Sequence, residues 1–545
     1  MKPRDFTGFH KIISFLGRSS SASGRLWFIL LSFFLSGCGE KSPRTQGYVL
    51  GTTDKVVTLD PADAYDYLSG NIIENVFDRL VRYQVGTTEI EPSLATQWEI
   101  SPDGITYTFT LREGVKFHDG TDLTPEAVKF SLDRARTLGG DPGFLLDVIE
   151  EVSIEDKGAK AGPIRAGLPV APGKVIIQLK YPFTAFLSIL AFSASSPVSP
   201  SDYTMTEKHP VNPVGTGPYR VVAYREGDLV ELEAFPDYWG EKPKTSRVMI
   251  KLYDTSSALK LALQNQEVDV AYRTFTPTEL EDLRKKPDLQ VLEGESPAIR
   301  YLVINVTHSP FTDLNLRKAI ACAVDREAIN RIVYLGTVEP LYSMIPIGML
   351  GHLPVYQKPY GNGNIELAQE YLNAAGYSES KKAEIDLWFT PTHYGDVEDE
   401  VAQVVQKSLE ATGMIKVQLQ SSEWAEFTDA MVRSAYGIFL LGWYPDYVDP
   451  DDYTYPFLST EGAKSLGSFY SNPEMDILLR NERVEVDLEA RVGIFHEIQN
   501  LLAQEVPYVP LFQSKQYAVF QKNIQGVLLE PTQVFRYSLI SFTPL

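Results

Sequence analysis

The chain is poor in cysteine, in positive charge and in long apolar runs, and each shortage excludes something. Its 545 residues hold two cysteines, Cys38 and Cys322. A fold stapled by disulfides is excluded, and no intramolecular bridge forms if Cys38 is modified. Asp and Glu outnumber Lys and Arg by 71 to 50, a formal net charge of −21. That argues against nucleic acid or an anionic membrane surface as partner, and for solubility with a bias toward cationic ligands. The N-terminal apolar run Leu26–Leu35 is about half of the ~20 residues that a membrane-spanning helix needs. Seven histidines (10, 118, 209, 308, 352, 393, 496) are scattered, none at metal-ligand spacing to another or to a cysteine. There is no G-x-S-x-G, no H-E-x-x-H and no phosphate loop. "GTGPYR" (Gly215–Arg220) lacks the third glycine of a dinucleotide fingerprint. The expectation is a chain without catalytic residues, metal or cofactor. A hydrolase with two carboxylates brought together only in space leaves no local spacing, and turnover would reveal it.

What is there begins at the N-terminus. Lys2, Arg4, Lys11, Arg18 and Arg25 precede the apolar run, which is followed by "LSGC", Leu35 to Cys38. A basic segment, a short apolar core and small residues before a cleavage point make a secretory signal. Leu-Ser-Gly-Cys also resembles a bacterial lipobox, so residues 1–37 read as a lipoprotein signal peptide and Cys38 as the lipidated residue. Two or more acyl chains would anchor the protein stably to the membrane; the alternative is an ordinary buried thiol. The basic leader Met1–Arg25 is longer than usual, as expected if translation starts further downstream. Gly39 supplies no aspartate retention signal, so the leaflet carrying the anchor stays open. Residues 38–47 read as a tether, since "KSPRTQG" is polar and holds Pro and Gly.

Beyond the tether strand and helix patterns alternate, without repeats or low-complexity blocks. "GITYTFTLREG" sets Ile105, Tyr107, Phe109 and Leu111 on one face and threonines on the other, a half-buried strand. "DLTPEAVKFSLDRA" then starts a helix, with Thr124 as cap, Pro125 in the first position, Leu123 against Val128, and Val128, Leu132 and Ala135 on one face. "GKVIIQLKY" (173–181) and "DLVELEAF" (228–235) predict strands. "NLRKAIACAVDREAINRIVYLG" predicts two helices, the second capped by Asp325 and stopped near Gly336, with Cys322 in the core. "NIELAQEYLNAAGY" predicts a helix capped by Asn364 and ended by Gly376. The length and alternation indicate a mixed α/β chain of roughly three domains.

Four segments, in this order, carry a resemblance. They are "EPSLATQWEISPDGITYTFTLREGVKFHDGTDLTPEAVKFSLDRA" (Glu91–Ala135), "NPVGTGPYRVVAYREGDLVELEAFPDYWG" (212–240), "FTDLNLRKAIACAVDREAI" (311–329) and "LGWYPDYVDPDD" (441–452). Together they resemble the landmarks of the extracytoplasmic solute-binding proteins of family 5, the peptide, nickel and oligosaccharide type of ABC importer binding protein. The likeness runs from about Tyr48 to the C-terminus. It implies a type II periplasmic-binding-protein fold, two hinged α/β lobes with an extra lobe inserted in the first. By position, lobe I is 48–81, 206–296 and 506–545, inserted lobe II is 82–205, and lobe III is 297–505. "GTGPY" is then expected to shape a turn near the hinge.

The stretch 441–452 packs four aspartates among aromatics and prolines. Asp446, Asp449, Asp451 and Asp452 lack the alternating spacing of a calcium loop, and Pro450 stands where a sharp glycine turn is wanted. In peptide-binding members of the family an aspartate here salt-bridges the ligand's α-amino group, and the matching residue is Asp446. The resemblance also implies Leu441, Gly442, Trp443 and Tyr444 beside an extended ligand, and Tyr65, Asp66 and Tyr67 opposite them. Asp446 would alternatively cap a turn, and the tyrosines would alternatively be half-buried residues before the helix "NIIENVFDRL". Asp449, Asp451 and Asp452 are expected to serve the turn. Positions where oligopeptide-binding members carry arginines for the ligand's carboxyl end match Met431 and Leu440, and a third anchor falls near Glu398. That anchor is therefore missing or moved.

The implied function is capture of peptides, and their delivery to ABC permease transmembrane subunits and their ATPase, by a lipid-anchored, extracytoplasmic monomer. Within the class, an oligosaccharide or another amino-bearing solute is the alternative, since Trp443, Tyr444, Tyr65 and Tyr67 would also stack sugars. Outside it, the alternative is an envelope chaperone or scaffold lipoprotein that kept the fold and lost import.

Overall fold

The computed structural model describes residues 47–155, 173–209, 211–273, 275–391, 393–395 and 397–543. The signal peptide, Cys38 and the tether up to residue 46 lie outside the described residues. Gly47, read as the tether's end, is the first residue of strand Gly47–Thr52, paired with Arg247.

Two long strands organise the architecture. Leu289–Ile304 and Tyr508–Gln521 pair antiparallel along most of their length, with register shifts between Glu295 and Ile299 and between Arg300 and Tyr301. On one side of the shifts, 518–520 continue through 270–272, 47–52, 247–252 and 229–234 to 219–225. On the other, 299–304 continue through 438–443 and 383–389 to 415–421. One eleven-stranded sheet thus has two halves hung on the same two strands. Separate hydrophobic cores flank the halves. One gathers Leu50, Ile72, Val76, Tyr219 and Phe535; another gathers Ile299, Ile320, Leu387 and Phe439.

A separate antiparallel sheet, ordered 95–100, 106–111, 174–179, 149–155, is covered by helix Pro125–Thr137. Its local logic follows the sequence. Tyr107, Phe109 and Leu111 are buried while the threonines between them are not. The Thr124 side chain accepts from the Ala127 N–H, and Val128, Leu132 and Ala135 face the core. Asp325, Asn364 and Gly376 act as the sequence indicates, the aspartate and asparagine as caps and Gly376 with a left-handed φ of 82°. Cys322 is buried in helix Leu314–Ala323, and burial pushes its thiol up to about 12.

Two local expectations differ from the structure. The helix after "AYDYLSGN" spans Tyr67–Val76 rather than starting at Asn71, because the Asp66 carboxylate caps it by accepting from the Ser69 N–H; Phe77 is already extended. The glycines of "GTGPY" serve close packing. A Cβ on Gly215 would lie 2.3 Å from the Val76 oxygen, one on Gly217 2.5 Å from the Val76 carbonyl carbon and 2.7 Å from the Phe77 nitrogen, and the Gly217 N–H donates to the Val76 oxygen at 2.9 Å.

The inserted sheet is tied to its neighbours by a buried ion pair. Arg134, on its covering helix, meets Asp60 through two parallel bonds of 2.8 and 2.6 Å, both side chains essentially inaccessible. Removing one partner strands the other's charge in a dry interior, which costs about 3–5 kcal/mol. Arg134→Met is therefore expected to lower the unfolding free energy by that amount in denaturant titration. Combining it with Asp60→Asn should recover part of the loss.

Candidate functional site

A cavity of about 1230 Å³ opens between the two half-sheets, with Tyr83, Ser188 and Phe192 also on its wall. It exceeds the roughly 300–1,000 Å³ typical of small-molecule pockets, so it has room for a peptide. Tyr65, Asp66 and Tyr67 line one wall, and Leu441, Gly442, Trp443, Tyr444 and Asp446 the wall opposite.

The second wall is strand Ile438–Trp443. One edge of it pairs with Ile299–Ile304 throughout, whereas the other pairs with Leu387 and Trp388 only at Ile438 and Phe439. Among the described strands, the edge from Leu440 to Trp443 is left open beside the cavity. An extended ligand can add there as a further strand, its backbone bonding while its side chains take pockets.

Past the strand, the four aspartates have different tasks. Asp449 caps the following turn and forms two bonds with Arg491, at 2.8 and 2.7 Å. Asp451 is held by Arg483 at 2.7 and 3.0 Å, and that guanidinium keeps the buried carboxyl below its usual range despite the cost of burial. Asp452, fully buried, accepts from the Trp443 indole N–H and from the Asp446 backbone N–H, both at 3.0 Å. Burial, with the nearby Asp446 charge, raises Asp452 well above the carboxylate range. These three do more than serve the turn. They tie it to two distant arginines and orient Trp443 and Asp446.

Asp446 has no arginine or lysine partner among the described residues. Its carboxylate accepts one bond from the Tyr65 hydroxyl on the opposite wall. Burial pushes its pKa up to about 6, against the opposing pull of the Tyr65 bond. A carboxylate left in a desolvated cleft with one neutral donor is poised for an ammonium, whose charge-assisted bonds are roughly twice as strong as neutral ones.

The remaining site residues divide. Tyr444 is 41% exposed and lines the cavity. Tyr67 is held by Tyr272 at 2.5 Å and by the Gln533 carbonyl at 2.8 Å, with the Arg273 guanidinium 3.6 Å over its ring. Asp66 lines the cavity but is occupied in capping, and Trp443 has its polar atom satisfied by Asp452. Glu398 is a correction. It is 2% exposed, is not on the cavity wall, and forms an ion pair with Arg300 at 3.3 Å. The resemblance placed it near a ligand anchor, yet the buried Arg300 cation draws it inward, off the cavity wall.

Several groups on or behind the cavity wall escaped the sequence reading. Arg273 follows strand Val270–Tyr272 with a left-handed φ of 63°. Arg300 lies in the apolar run "AIRYLVI", where a cation is an anomaly that could have been flagged. It stands opposite Gly442 in register and stacks 3.9 Å from the Tyr394 ring centre. His393 lies flat on Trp424 at 3.6 Å; burial and the Arg300 charge lower its pKa to about 4, so at neutral pH it is an uncharged aromatic wall.

Comparison with known proteins accords with this architecture. Residues 89–465 match the model of the bacterial extracellular solute-binding proteins, family 5. The chain belongs to that family. It is one of transporter solute-binding proteins, not of enzymes. This solute-binding protein is 28% identical to the probable D,D-dipeptide-binding periplasmic protein DdpA of Escherichia coli, over 90% of this chain and 94% of that one. It is also 28% identical to the glutathione-binding protein GsiB of Shigella dysenteriae, over 96% and 99%. The periplasmic binding protein DppA of Helicobacter pylori, solved with the peptide STSA, superposes with a TM-score of 0.75 at 26% identity, covering 91% of this chain and 98% of that one. The fold is the type II periplasmic-binding-protein fold.

Gly442 is the residue on which the wall depends sterically. A Cβ there would lie 2.1 Å from Arg300 Nη1 and 2.9 Å from the Tyr394 ring. Gly442→Ala must displace one of them, at about 1–3 kcal/mol for overpacking. It is expected to lower the melting temperature and to weaken ligand binding, read by differential scanning calorimetry and titration calorimetry on the same sample.

Proposed function

We propose that this protein captures peptides for an ABC importer and that Asp446 grips the peptide's free α-amino group or another cationic end. The observation that carries the reading is the Asp446 carboxylate, exposed to a large cleft, raised in pKa and bonded across it only by Tyr65. The names of the peptide-, dipeptide- and glutathione-binding relatives support the solute class. Among the described residues no helix is long and apolar enough to cross a membrane, which suits an extracytoplasmic protein held at the membrane by lipid on Cys38. Lobes I (48–81, 206–296, 506–545) and III (297–505), with lobe II (82–205) inserted, would close about the two long strands, a hinge motion. The closed form would engage the permease, and the protein would work as a monomer.

Mass spectrometry of small molecules released by denaturing the natively purified protein tests the solute class. Peptides with free N-termini are expected; sugars alone would move the site to the aromatics and refute the amine grip.

The pH dependence has a definite sign. Above about pH 6 Asp446 is ionised and meets the ammonium directly; below it, binding must expel a proton. Affinity for a free-amino peptide should therefore weaken as pH falls from 6 to 4.5, by up to tenfold per unit. Asp446→Asn should cost at least tenfold at pH 7.5, as expected for a bond to a charged group, and should flatten that profile in titration calorimetry. An unchanged profile in the variant would sink the assignment.

A further inference from the structure

We propose that Tyr447 is a bolt between the aspartate turn and the inserted sheet: seated, it holds Asp446 over the cleft, and ligand passes only when it is withdrawn. The inference rests on the cleft as the ligand site, and it adds a residue that positions the grip and gates exchange. In sequence Tyr447 belongs to the turn that follows strand Ile438–Trp443. Its ring nevertheless lies in the core of the inserted sheet, buried in one cluster with Tyr83, Phe109, Phe183 and Phe186. It meets Phe183 edge-on at 6.4 Å. Every other buried member of that cluster falls between Ala62 and Ala191. Tyr447 also lines the cavity, one residue past Asp446, so grip and bolt are one piece of chain.

The polar groups are arranged so that the ring can leave without stranding any of them. The Tyr447 hydroxyl donates to Asp451 at 2.5 Å, inside its own turn, and Asp451 is held by Arg483. Hydroxyl, carboxylate and guanidinium therefore stay together whether the ring is seated or not. A hydroxyl bonded across the seam would instead lose its partner on withdrawal, which is the costly outcome for a buried polar group. Few hydrogen bonds close the seam itself. The Val448 N–H donates to the Tyr83 hydroxyl at 3.3 Å, and the Thr184 N–H and hydroxyl donate to the Arg483 carbonyl at 2.8 and 2.9 Å. Val448 and Thr184 are half-buried, so water can take over those bonds.

The other side of the inserted sheet is fastened differently. Arg134 is joined to Asp60 by the two-bond ion pair, and both side chains are cut off from water. Parting them would leave two charges unpaired in a dry interior. The inserted sheet therefore stays with the segment that carries Asp60 and Tyr65, and the seam at Tyr447 is the one that opens.

Amide hydrogen exchange at pH 7.5, on protein dialysed free of bound solute and read by mass spectrometry at single amides, tests the bolt. The Thr184 and Val448 amides are expected to be less protected than strands Thr106–Leu111 and Lys174–Leu179, since withdrawal frees the first two without unfolding the strands. Tyr447→Ala should speed exchange at both amides by roughly tenfold to a hundredfold, as expected for loss of a seated aromatic ring, and leave the strands as protected as before. Tyr447→Phe keeps the ring and removes only its hydroxyl, so both amides should stay near their wild-type rates. Solute that co-purifies with the protein should leave Tyr447→Ala on dialysis about tenfold faster than wild type, an effect on dissociation. Unchanged exchange at Thr184 and Val448 in Tyr447→Ala would overturn the bolt. So would lost protection throughout the two strands, which would make Tyr447 an ordinary core residue, or a Tyr447→Phe variant as open as Tyr447→Ala. Solute retained as in wild type would overturn the gating. The Asp446 reading fails separately: it falls if Asp446→Asn keeps its solute, whatever the exchange at Thr184 and Val448.

Discussion

The pairing of Leu289–Ile304 with Tyr508–Gln521 is the constraint on which the rest of the molecule depends. Both halves of the large sheet hang on these two strands, and the register shifts at Glu295/Ile299 and Arg300/Tyr301 fall between the halves. A shift breaks the ladder and bends the strand, so the half-sheets need not be coplanar and a cleft can form beside the break. Arg300 sits at the second shift, which places a cation at the deep side of the cleft. The open edge of Ile438–Trp443 belongs to the strand paired with that segment. Register shift and buried charge therefore share one piece of backbone, and the open edge lies on the strand paired with it.

The aspartate-rich turn shows how chemically similar residues acquire different roles. Asp449 and Asp451 are neutralised by Arg491 and Arg483, from helices Leu488–Glu505 and Pro473–Val484. Asp452 is neutralised by no cation; it is raised in pKa and takes two N–H bonds. Of the four, Asp446 alone lines the cleft, and among the described residues its carboxylate accepts from the Tyr65 hydroxyl. Each buried carboxylate that is fully satisfied stiffens the turn, and the stiffness aims the one that is not. A half-satisfied buried charge is unfavourable in the empty site, and an arriving ammonium would relieve it.

Tyr65 has a second consequence. It lies on the opposite wall from Asp446, and its ring meets Phe144, in the short helical turn Asp141–Leu146 that precedes strand 149–155, edge-on at 6.0 Å. Val448 donates its N–H to the Tyr83 hydroxyl, and Arg483, which holds Asp451, accepts from Thr184 through its carbonyl, so the aspartate turn is also fastened to segments that flank the inserted sheet. The same short segment thus faces ligand and links three parts of the fold.

Much of the fold was legible in the sequence, because local patterns with local causes carry it. Thr124, Asp325 and Asn364 cap because a short polar side chain before an apolar periodic run has an orphan N–H within reach, and Tyr107, Phe109 and Leu111 are buried because strands alternate. The family landmarks and the stretch holding Asp446 were legible for the same reason. What only the tertiary structure decided are the partnerships across long separations: Asp449 with Arg491, Arg300 with Glu398, Tyr65 with Asp446. Glu398 was misplaced because nothing near it in sequence reveals a buried guanidinium 98 residues away. Arg273 went unnoticed because a single cation after a strand carries no periodic signal. Charge and hydrogen bonding act through space, and the chain brings these groups together only once the long strands have joined the two half-sheets.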